Sequence, residues 1–500
     1  MARSENVYTI EYSRKHDKIG QGTYGSVFKC TGGGKDLALK CVKKTKHGIP
    51  NILEPSIMKT FDHPALASAE HIVASDTDLN IMSRRAVSDL CEHTRLIKGG
   101  KELPIGSIKS ICYSLASAVY FLHKHLIIHG DIKASNVLVY ADGSIRLSDF
   151  SLSVKLWSEG TSYDHSSCSP SHRPLECHLG STWSYPLDIW SLGVTFWEVA
   201  YNDTLFPSQS AFESKSASEE ERKARKRIMR DRYIHAHCDF AERNPMWKEE
   251  IVSIALPEES KSRSSGEAGK EASLGNRVSP AASSHPRHPS VMEITPPSEG
   301  KDGCEQPGKQ SFHTAMSESK DEMKKLSLPP DGRDFKPFVL PERFTDPSMR
   351  LFNDLVMRML RVGQDSRIKI SEILSHPFFA GEKPIVGRIV STPVLPISRY
   401  DLTKIEQYMV RYKRDFRLEL NKQVEAHAMS LYGRCTLLRL NVKYKLNACI
   451  WIASKEINGT PILTDNTLTE AVIHRLEDEV CKHLDYRVHA AYVMSDERKR

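Results

Sequence analysis

The sequence predicts an α+β fold followed by an all-α unit, and three features carry that prediction. The first ninety or so residues read as β-type runs with one helix among them. From Ile108 onward apolar residues recur at helical spacing, interrupted by one strand-turn-strand around Asp142-Gly143. The last hundred residues are again helical in pattern and lie beyond Glu258 to Pro330, a stretch rich in Ser, Pro, Gly, Glu and Lys. Such a composition buries too little apolar surface to offset the entropy of ordering, so 258–330 is expected to be a disordered insertion.

At 500 residues, two or three domains are expected. A net charge of +7 is modest for that length, so no nucleic-acid partner follows from it. The 11 cysteines include no C-x-x-C pair, which favours reduced thiols over a disulfide framework or a zinc site. No signal-type apolar core opens the chain, and no uninterrupted apolar run is long enough to span a bilayer. No membrane partner is expected, and the location is expected to be intracellular, cytoplasmic and/or nuclear.

In chain order, Ile19-Gly20-Gln21-Gly22-Thr23-Tyr24-Gly25-Ser26-Val27 is a glycine loop between two strands. Missing side chains there let backbone approach a phosphate, although a ligand-free hairpin has the same spelling. Leu37-Ala38-Leu39-Lys40 is the next strand, whose lysine alone reads equally as a solvated edge charge. Gly48-Ile49-Pro50-Asn51-Ile52-Leu53-Glu54 leads into the one helix, ahead of His63-Pro64. Leu79 to Leu90 is a strand and its exit, with Ser83 and Arg84 to Ala86 at its end, and Ile108 to His125 is a helix.

Ile127 to Ser151, IIHGDIKASNVLVYADGSIRLSDFS, is the centre of the chain. An apolar lead delivers a loop with His129, Asp131, Lys133 and Asn136, and a hairpin then delivers Asp149-Phe150. His172-Arg173-Pro174-Leu175-Glu176, Asp188-Ile189-Trp190-Ser191-Leu192-Gly193 and an apolar region from Phe352 to Phe379 follow. Glu219 to Arg230 reads as a solvated, salt-bridged helix, with nuclear import the minority alternative.

In this order the motifs resemble those of protein kinases, whose loop reads H-R-D-L-K-x-x-N and whose metal segment reads D-F-G. Gly130, Ile132 and Ser151 depart from that pattern, and Ser151 is expected to restrict the segment's backbone. The resemblance implies a bilobal protein-kinase fold, with an N-lobe over 1–86 and a helical C-lobe over 87–257 and 331–383, resuming near Asp334-Phe335-Lys336-Pro337. It also implies phosphoryl transfer from ATP with Mg²⁺. By the same resemblance Asp131 is the base, Lys133 neutralises the moving phosphate, and Asn136 and Asp149 hold Mg²⁺. Lys40 clamps the α/β-phosphates and Glu54 orients it. Ile19, Gly20, Gly22, Gly25, Val27, Ala38, Ser83, Arg84 and Ala86 line the nucleotide pocket; Asp188 caps the loop backbone, and Arg367 pairs with Glu176.

Within the kinases, Gly48 to Glu54 looks like the signature segment of cyclin-dependent kinases, about two residues short. The spelling H-G-D-I-K-A-S-N also resembles the vaccinia-related kinases. The cyclin-dependent likeness makes Thr23 and Tyr24 an inhibitory phosphorylation pair and Arg173 the shaper of a pocket for proline after the phosphoacceptor. Protein substrates with Ser/Thr-Pro sites are then the expected partners, and Ser279-Pro280, Thr295-Pro296 and Thr392-Pro393 are candidate autophosphorylation sites. Where that family gathers an activating phosphate on three arginines, this chain has Leu53, Gly130 and Val154. Without them a phosphate between Thr161 and Ser171 gains no ordering contact and is expected to be dispensable.

A linker is expected over 384–400 and a helical domain over 401–496. Leu446 to Glu456 is small and apolar on most faces, as a buried central helix requires, and the next element is expected to start at an N-cap, Thr467, with Glu470 three residues on. These stretches resemble one helical repeat of the cyclin box, with Lys455 and Glu477 as its contact residues; an unrelated bundle is the alternative. The expected function is a serine/threonine kinase activated in cis by this domain. The alternative is a pseudokinase scaffold whose cyclin-like domain docks another kinase.

Overall fold

A computed structural model of the chain describes residues 10–13, 16–21, 25–98, 103–156, 168–206, 219–242, 341–390, 394–416, 422–458, 461–462 and 468–488. The 258–330 insertion, the restart at 334–337, the three Ser/Thr-Pro pairs and Gly22, Thr23 and Tyr24 lie outside them.

The first lobe is an antiparallel sheet of β1 (Ile10–Glu11), β2 (Lys18–Gln21), β3 (Gly25–Gly32), β4 (Lys35–Lys43), β6 (Ala69–Ala74) and β7 (Asp78–Arg84), in the order β1-β3-β4-β7-β6 with β2 also on β3. Alternation explains the buried face. Leu37, Leu39 and Cys41 point to one side with Phe28, Cys30 and Met82, while Ala38 and Lys40 point to the other. Gly33 and Gly34 close the β3–β4 hairpin at φ 57° and 75°, the pair of positive angles that a two-residue turn of matching twist needs.

The lobe's helix, α1, spans only Leu53–Thr60 and is followed directly by β5 (Phe61–Asp62). Pro55 is tolerated because it sits in the first turn, where backbone N–H groups have no partner inside the helix. Every residue of α1 except Lys59 is buried.

The second lobe contains β8 (Ser88–Asp89), α2 (Leu90–Lys98), α3 (Ile105–Lys124), β9 (Ile127–Ile128), β10 (Val137–Val139), β11 (Ile145–Leu147), β12 (Val154–Lys155), α4 (Leu175–His178), α5 (Pro186–Tyr201), α6 (Glu219–Glu242), α7 (Arg350–Met359) and α8 (Ile370–Leu374). Helix α3 is long and apolar enough to cross a membrane, yet Ile108, Cys112, Leu115, Val119 and Leu122 form its fully buried stripe, so it serves as the lobe's core helix. The segment expected to be a solvated helix is the exposed start of α6. That helix then runs on into the lobe, burying Tyr233, His237 and Phe240.

The expected linker is itself structured in part. Arg388–Ile389 forms β13, antiparallel to β5, and Val390 donates its N–H to the Thr60 carbonyl at 2.7 Å. Helices α9 (Arg399–Phe416), α10 (Lys422–Arg434), α11 (Val442–Asn458) and α12 (Glu470–His483) follow, with α11 central and buried from Leu446 to Glu456 apart from its polar contacts. The N-cap of α12 is Thr469, whose hydroxyl accepts the Val472 N–H; Thr467 lies outside the described residues. The apolar core of this bundle is continuous with that of α1 and the second lobe.

Two buried histidines make the fold acid-sensitive. His63 Nδ1 accepts the Ala65 N–H at 3.1 Å, and His129 Nδ1 accepts the Asp131 N–H at 3.2 Å, roles open only to the neutral ring. Burial pushes His63 down to about 4 and His129 below its ordinary value of 6.5. The unfolded chain therefore takes up protons below about pH 6.5 that the fold refuses, so the contribution of His63 is intact above that pH and is lost as pH falls toward about 4, and His129 acts in the same direction. Thermal midpoints are expected to drop across that window, each ring adding about 1.4 kcal/mol per pH unit. His63→Asn keeps an acceptor and removes one ring's share of the slope; an unchanged slope would place the titration elsewhere.

Candidate active site

The loop at the centre of the sequence is built on one carboxylate. Asp188, in the first turn of α5 and fully buried, accepts the N–H groups of His129 at 2.8 Å and Gly130 at 3.0 Å, and bonds His123 Nε2 at 2.9 Å. This is the capping role expected of it. Gly130 has φ 79°, a left-handed conformation that strains any side chain, so glycine relaxes the turn.

The loop brings Asp131, Lys133 and Asn136 together. Asp131 Oδ2 accepts from Lys133 Nζ at 2.8 Å and Asn136 Nδ2 at 3.0 Å, while its Oδ1 accepts the N–H and O–H of Ser169 at 2.9 and 2.8 Å. Lys133 Nζ also donates to Ser169 Oγ at 2.8 Å. Burial pushes the Asp131 carboxyl up, but the Lys133 ammonium and the Ser169 hydroxyl outweigh it and hold it below the usual range. Ser169 escaped the sequence reading because it lies 38 residues from Asp131, at no spacing that marks it.

Lys40 joins the two lobes. Its Nζ lies 2.5 Å from Glu54 Oε1 and 2.7 Å from Asp149 Oδ1. Burial works against its charge, and the two carboxylates more than reverse that, raising it. Asp149 is pushed up by burial and brought below its ordinary value by Lys40. Asp149 takes the left-handed conformation, φ 63°, whereas Ser151 lies in a short helical turn, Phe150–Leu152, without a positive φ. In this arrangement Ser151 needs no angle reserved for glycine.

Strand register sets the cleft face. Val27 pairs with Lys40, Lys40 with Ile81 and Ala38 with Ser83, so these side chains share one side of the sheet. Ile19 and Gly20 sit on β2 at its rim, Ile19 being 54% exposed. Gly25 has a packing reason as well: a Cβ there would strike the Cys41 carbonyl oxygen. At the strand exit the Arg84 guanidinium turns away to Asp142 Oδ2 at 2.8 Å and over the Tyr140 ring, leaving only the backbone from Arg84 to Ala86 for a ligand.

Asn51 is a second residue that the sequence did not mark. Its Oδ1 accepts the Leu53 N–H at 2.8 Å, at the start of α1, and its Nδ2 reaches the carbonyls of Ser151 at 2.8 Å, Ser153 at 3.3 Å and Phe150 at 3.4 Å. One carboxamide thus ties the helix that carries Glu54 to the segment that carries Asp149.

Beyond the loop, Arg173 donates to the Cys168 carbonyl at 2.8 Å, and Cys168 holds φ 61°. His237 of α6 bonds the Arg173 carbonyl at 3.1 Å. Arg367 grips Glu176 in a buried two-pronged pair at 2.5 and 2.8 Å, as expected. Lys455 and Glu477 also meet, at 2.6 Å, and Lys455 Nζ donates to the His47 carbonyl at 3.1 Å, just ahead of α1.

Asn136 has its amide nitrogen committed to Asp131, which leaves its oxygen, with the Asp149 carboxylate, as the candidate donors for a cation. Two oxygen donors suit Mg²⁺, which takes few protein ligands and completes its shell with phosphate and water. Among the described residues no cluster of three or more His, Cys, Asp or Glu could hold a metal alone.

Asn51→Asp keeps the acceptor for Leu53 and sets an anion against three carbonyls. The Mg²⁺·ATP concentration for half-maximal thermal stabilisation is expected to rise roughly tenfold, the equivalent of one net hydrogen bond. A lower midpoint without ligand and an unchanged affinity would reduce Asn51 to a helix cap.

A family model, the protein kinase domain, matches residues 13–379, from the first sheet through the short helical turn Pro377–Phe379 that follows α8. The span includes Lys40, Glu54, the loop and the metal segment, and on that match the chain belongs to the protein kinase domain family.

Proposed function

We propose that this chain is a serine/threonine kinase, proline-directed and held active in cis by its own C-terminal helical domain. Protein kinase domains use ATP and Mg²⁺. The observation that carries the reading is the closed Lys40–Glu54–Asp149 arrangement in a chain whose α1 is linked to that domain through Lys59, which meets Asp485 and Arg487.

Asp131 accepts the proton of the attacking hydroxyl, whose O–H replaces the Ser169 hydroxyl at Oδ1. That Ser169 fits there, on a short stem, favours serine or threonine over tyrosine as acceptor. Lys133 remains on Oδ2 and faces the transferring group, while Lys40, aligned by Glu54, neutralises the α/β-phosphates. Asn136 and Asp149 would hold Mg²⁺, which would supply neutralisation of phosphate charge. Departures at Gly130, Ser151 and Arg173 to Glu176 are the grounds for the scaffold alternative; φ 79° at Gly130 suits glycine and Ser151 has no positive φ, which supports the catalytic reading.

Proline selection follows from Cys168. Its carbonyl is taken by Arg173, so it offers no acceptor to the backbone N–H of the residue after the phosphoacceptor, and proline has no N–H to leave stranded. Transfer to a Ser-Pro peptide is expected to exceed that to its Ser-Ala counterpart by roughly tenfold in kcat/KM. Arg173→Ala narrows the gap, and Asp131→Asn lowers both rates by about 10²–10⁴. Equal rates on the two peptides would sink the proline reading; transfer surviving Asp131→Asn would sink the base.

For activation in cis, the support is a polar seam ahead of and behind α1. Lys455 bonds His47, Lys44 pairs with Asp478 at 2.6 Å, Lys59 pairs with Asp485 at 3.1 Å, and Arg487 Nε donates to the Lys59 carbonyl at 3.1 Å. This is where a cyclin-like domain holds Glu54 inward without an activating phosphate. Gly48, at φ 79°, lies directly against the Glu477 carboxylate, so Gly48→Ala is both strained and obstructive. Though remote from the cleft, it is expected to lower kcat/KM about tenfold or more, the scale of one left-handed residue. A rate equal to that of the unmodified chain would mean that docking does not activate.

A further inference from the structure

Lys155 is a cation in an unusual place. It belongs to β12, which pairs with β9 in the register Lys155–Ile127 and Val154–Ile128, and Leu156 donates its N–H to Leu126 at 2.7 Å. Its position is thus tied to the strand that leads into His129 and Asp131. The Lys155 side chain is 1% exposed, and its ammonium lies 3.1 Å from Glu456 Oε1, a carboxylate of α11 that is fully buried too. The other oxygen of Glu456 bonds His427 Nε2 of α10 at 2.5 Å, which fixes the carboxylate's orientation from within the bundle.

We propose that this buried pair makes the two domains exclusive partners: the activation segment accepts only a helix that brings a carboxylate to Lys155, as the chain's own α11 does. The inference rests on the reading of the C-terminal domain as an activator in cis. A buried ion pair adds little net stability over apolar residues of like volume, whereas a buried charge without its partner is strongly disfavoured. The pair therefore discriminates more than it stabilises. A helical domain with an apolar or neutral residue at the Glu456 position would close over Lys155 and withdraw the carboxylate that meets its ammonium out of water. One residue earlier, at Val154, the resembled kinases have an arginine that answers a phosphate. In this chain the cation is displaced by one position, buried, and answered by the docked domain.

The test is a double-mutant cycle in the full-length chain: Lys155→Met, Glu456→Met and both together, assayed by transfer to a Ser-Pro peptide and by hydrogen exchange at the Leu156 amide. Each single change is expected to lower kcat/KM by roughly 100-fold or more and to speed exchange at Leu156. The double change, which lets the lobe accept a domain lacking the carboxylate, is expected to return activity to within about tenfold and to restore protection. Single variants that keep full activity, or a double variant no better than the worse single, overturn the proposal. Gly48→Ala separates the failures. If it slows transfer while the Lys155 and Glu456 changes do not, exclusivity alone falls; if none of them matters, the activating role of the domain falls with it.

Discussion

The ion contacts of Lys40 with Glu54 and Asp149 are the constraint on which the rest depends. They require a strand, a helix and the metal segment to meet at one ammonium, and each arrives from a different part of the chain. The weakest of the three is α1. Eight residues, one of them proline, do not make a helix that persists in water, because nucleation outweighs so few intrahelical bonds. The helix exists because its surroundings bury it, and the C-terminal domain supplies part of those surroundings.

A second carboxylate plays the matching part on the other side of the cleft. Asp188 takes two backbone N–H groups of the loop and a histidine, which fixes where Asp131 emerges. Asp131 then receives four donors from three residues, one of them Ser169 at the far end of the activation segment. Asp131, Lys133 and Ser169 are therefore one hydrogen-bonded unit. Displacing Ser169 removes two of those four donors from Asp131.

Much of this was legible in the sequence, because kinase chemistry is written in short motifs at local spacing. The glycine loop, Lys40, the loop from His129 to Asn136, Asp149 and Asp188 could all be read off, as could the long-range Arg367–Glu176 pair. The residues that could not be read are those whose partners are distant and whose type is ordinary. Asn51 sits in a stretch that spells a turn, Ser169 among several serines, and Lys155 and Glu456 are 301 positions apart in the chain. Glycine was misleading in one direction only: Gly130 looked like drift and is the residue best suited to φ 79°. At Ser151 the turn stays at ordinary angles, so this arrangement asks for no glycine there. The cap of α12 was placed two residues early because Thr467 and Thr469 are alike in spelling, and only geometry selects the one that meets Val472.

The linker changes how tethering works. A flexible connection of this length would act by raising effective concentration, leaving orientation to be found at each encounter. Arg388–Ile389 instead extends the strand that follows α1, and Arg388 Nε lies 2.7 Å from Asp62. Gly387 is pressed so closely to His63 and Phe121 that a Cβ would collide with both. Further on, Leu395 donates its N–H to the Gly433 carbonyl at 3.0 Å, anchoring the same connection to α10. The chain between the domains is therefore held at both ends, so part of the orientational entropy of docking is removed before the seam at Lys44, Lys59 and Lys455 forms. Ion pairs at the seam then need to add little strength to a contact whose apolar core is continuous and whose connection is already fixed.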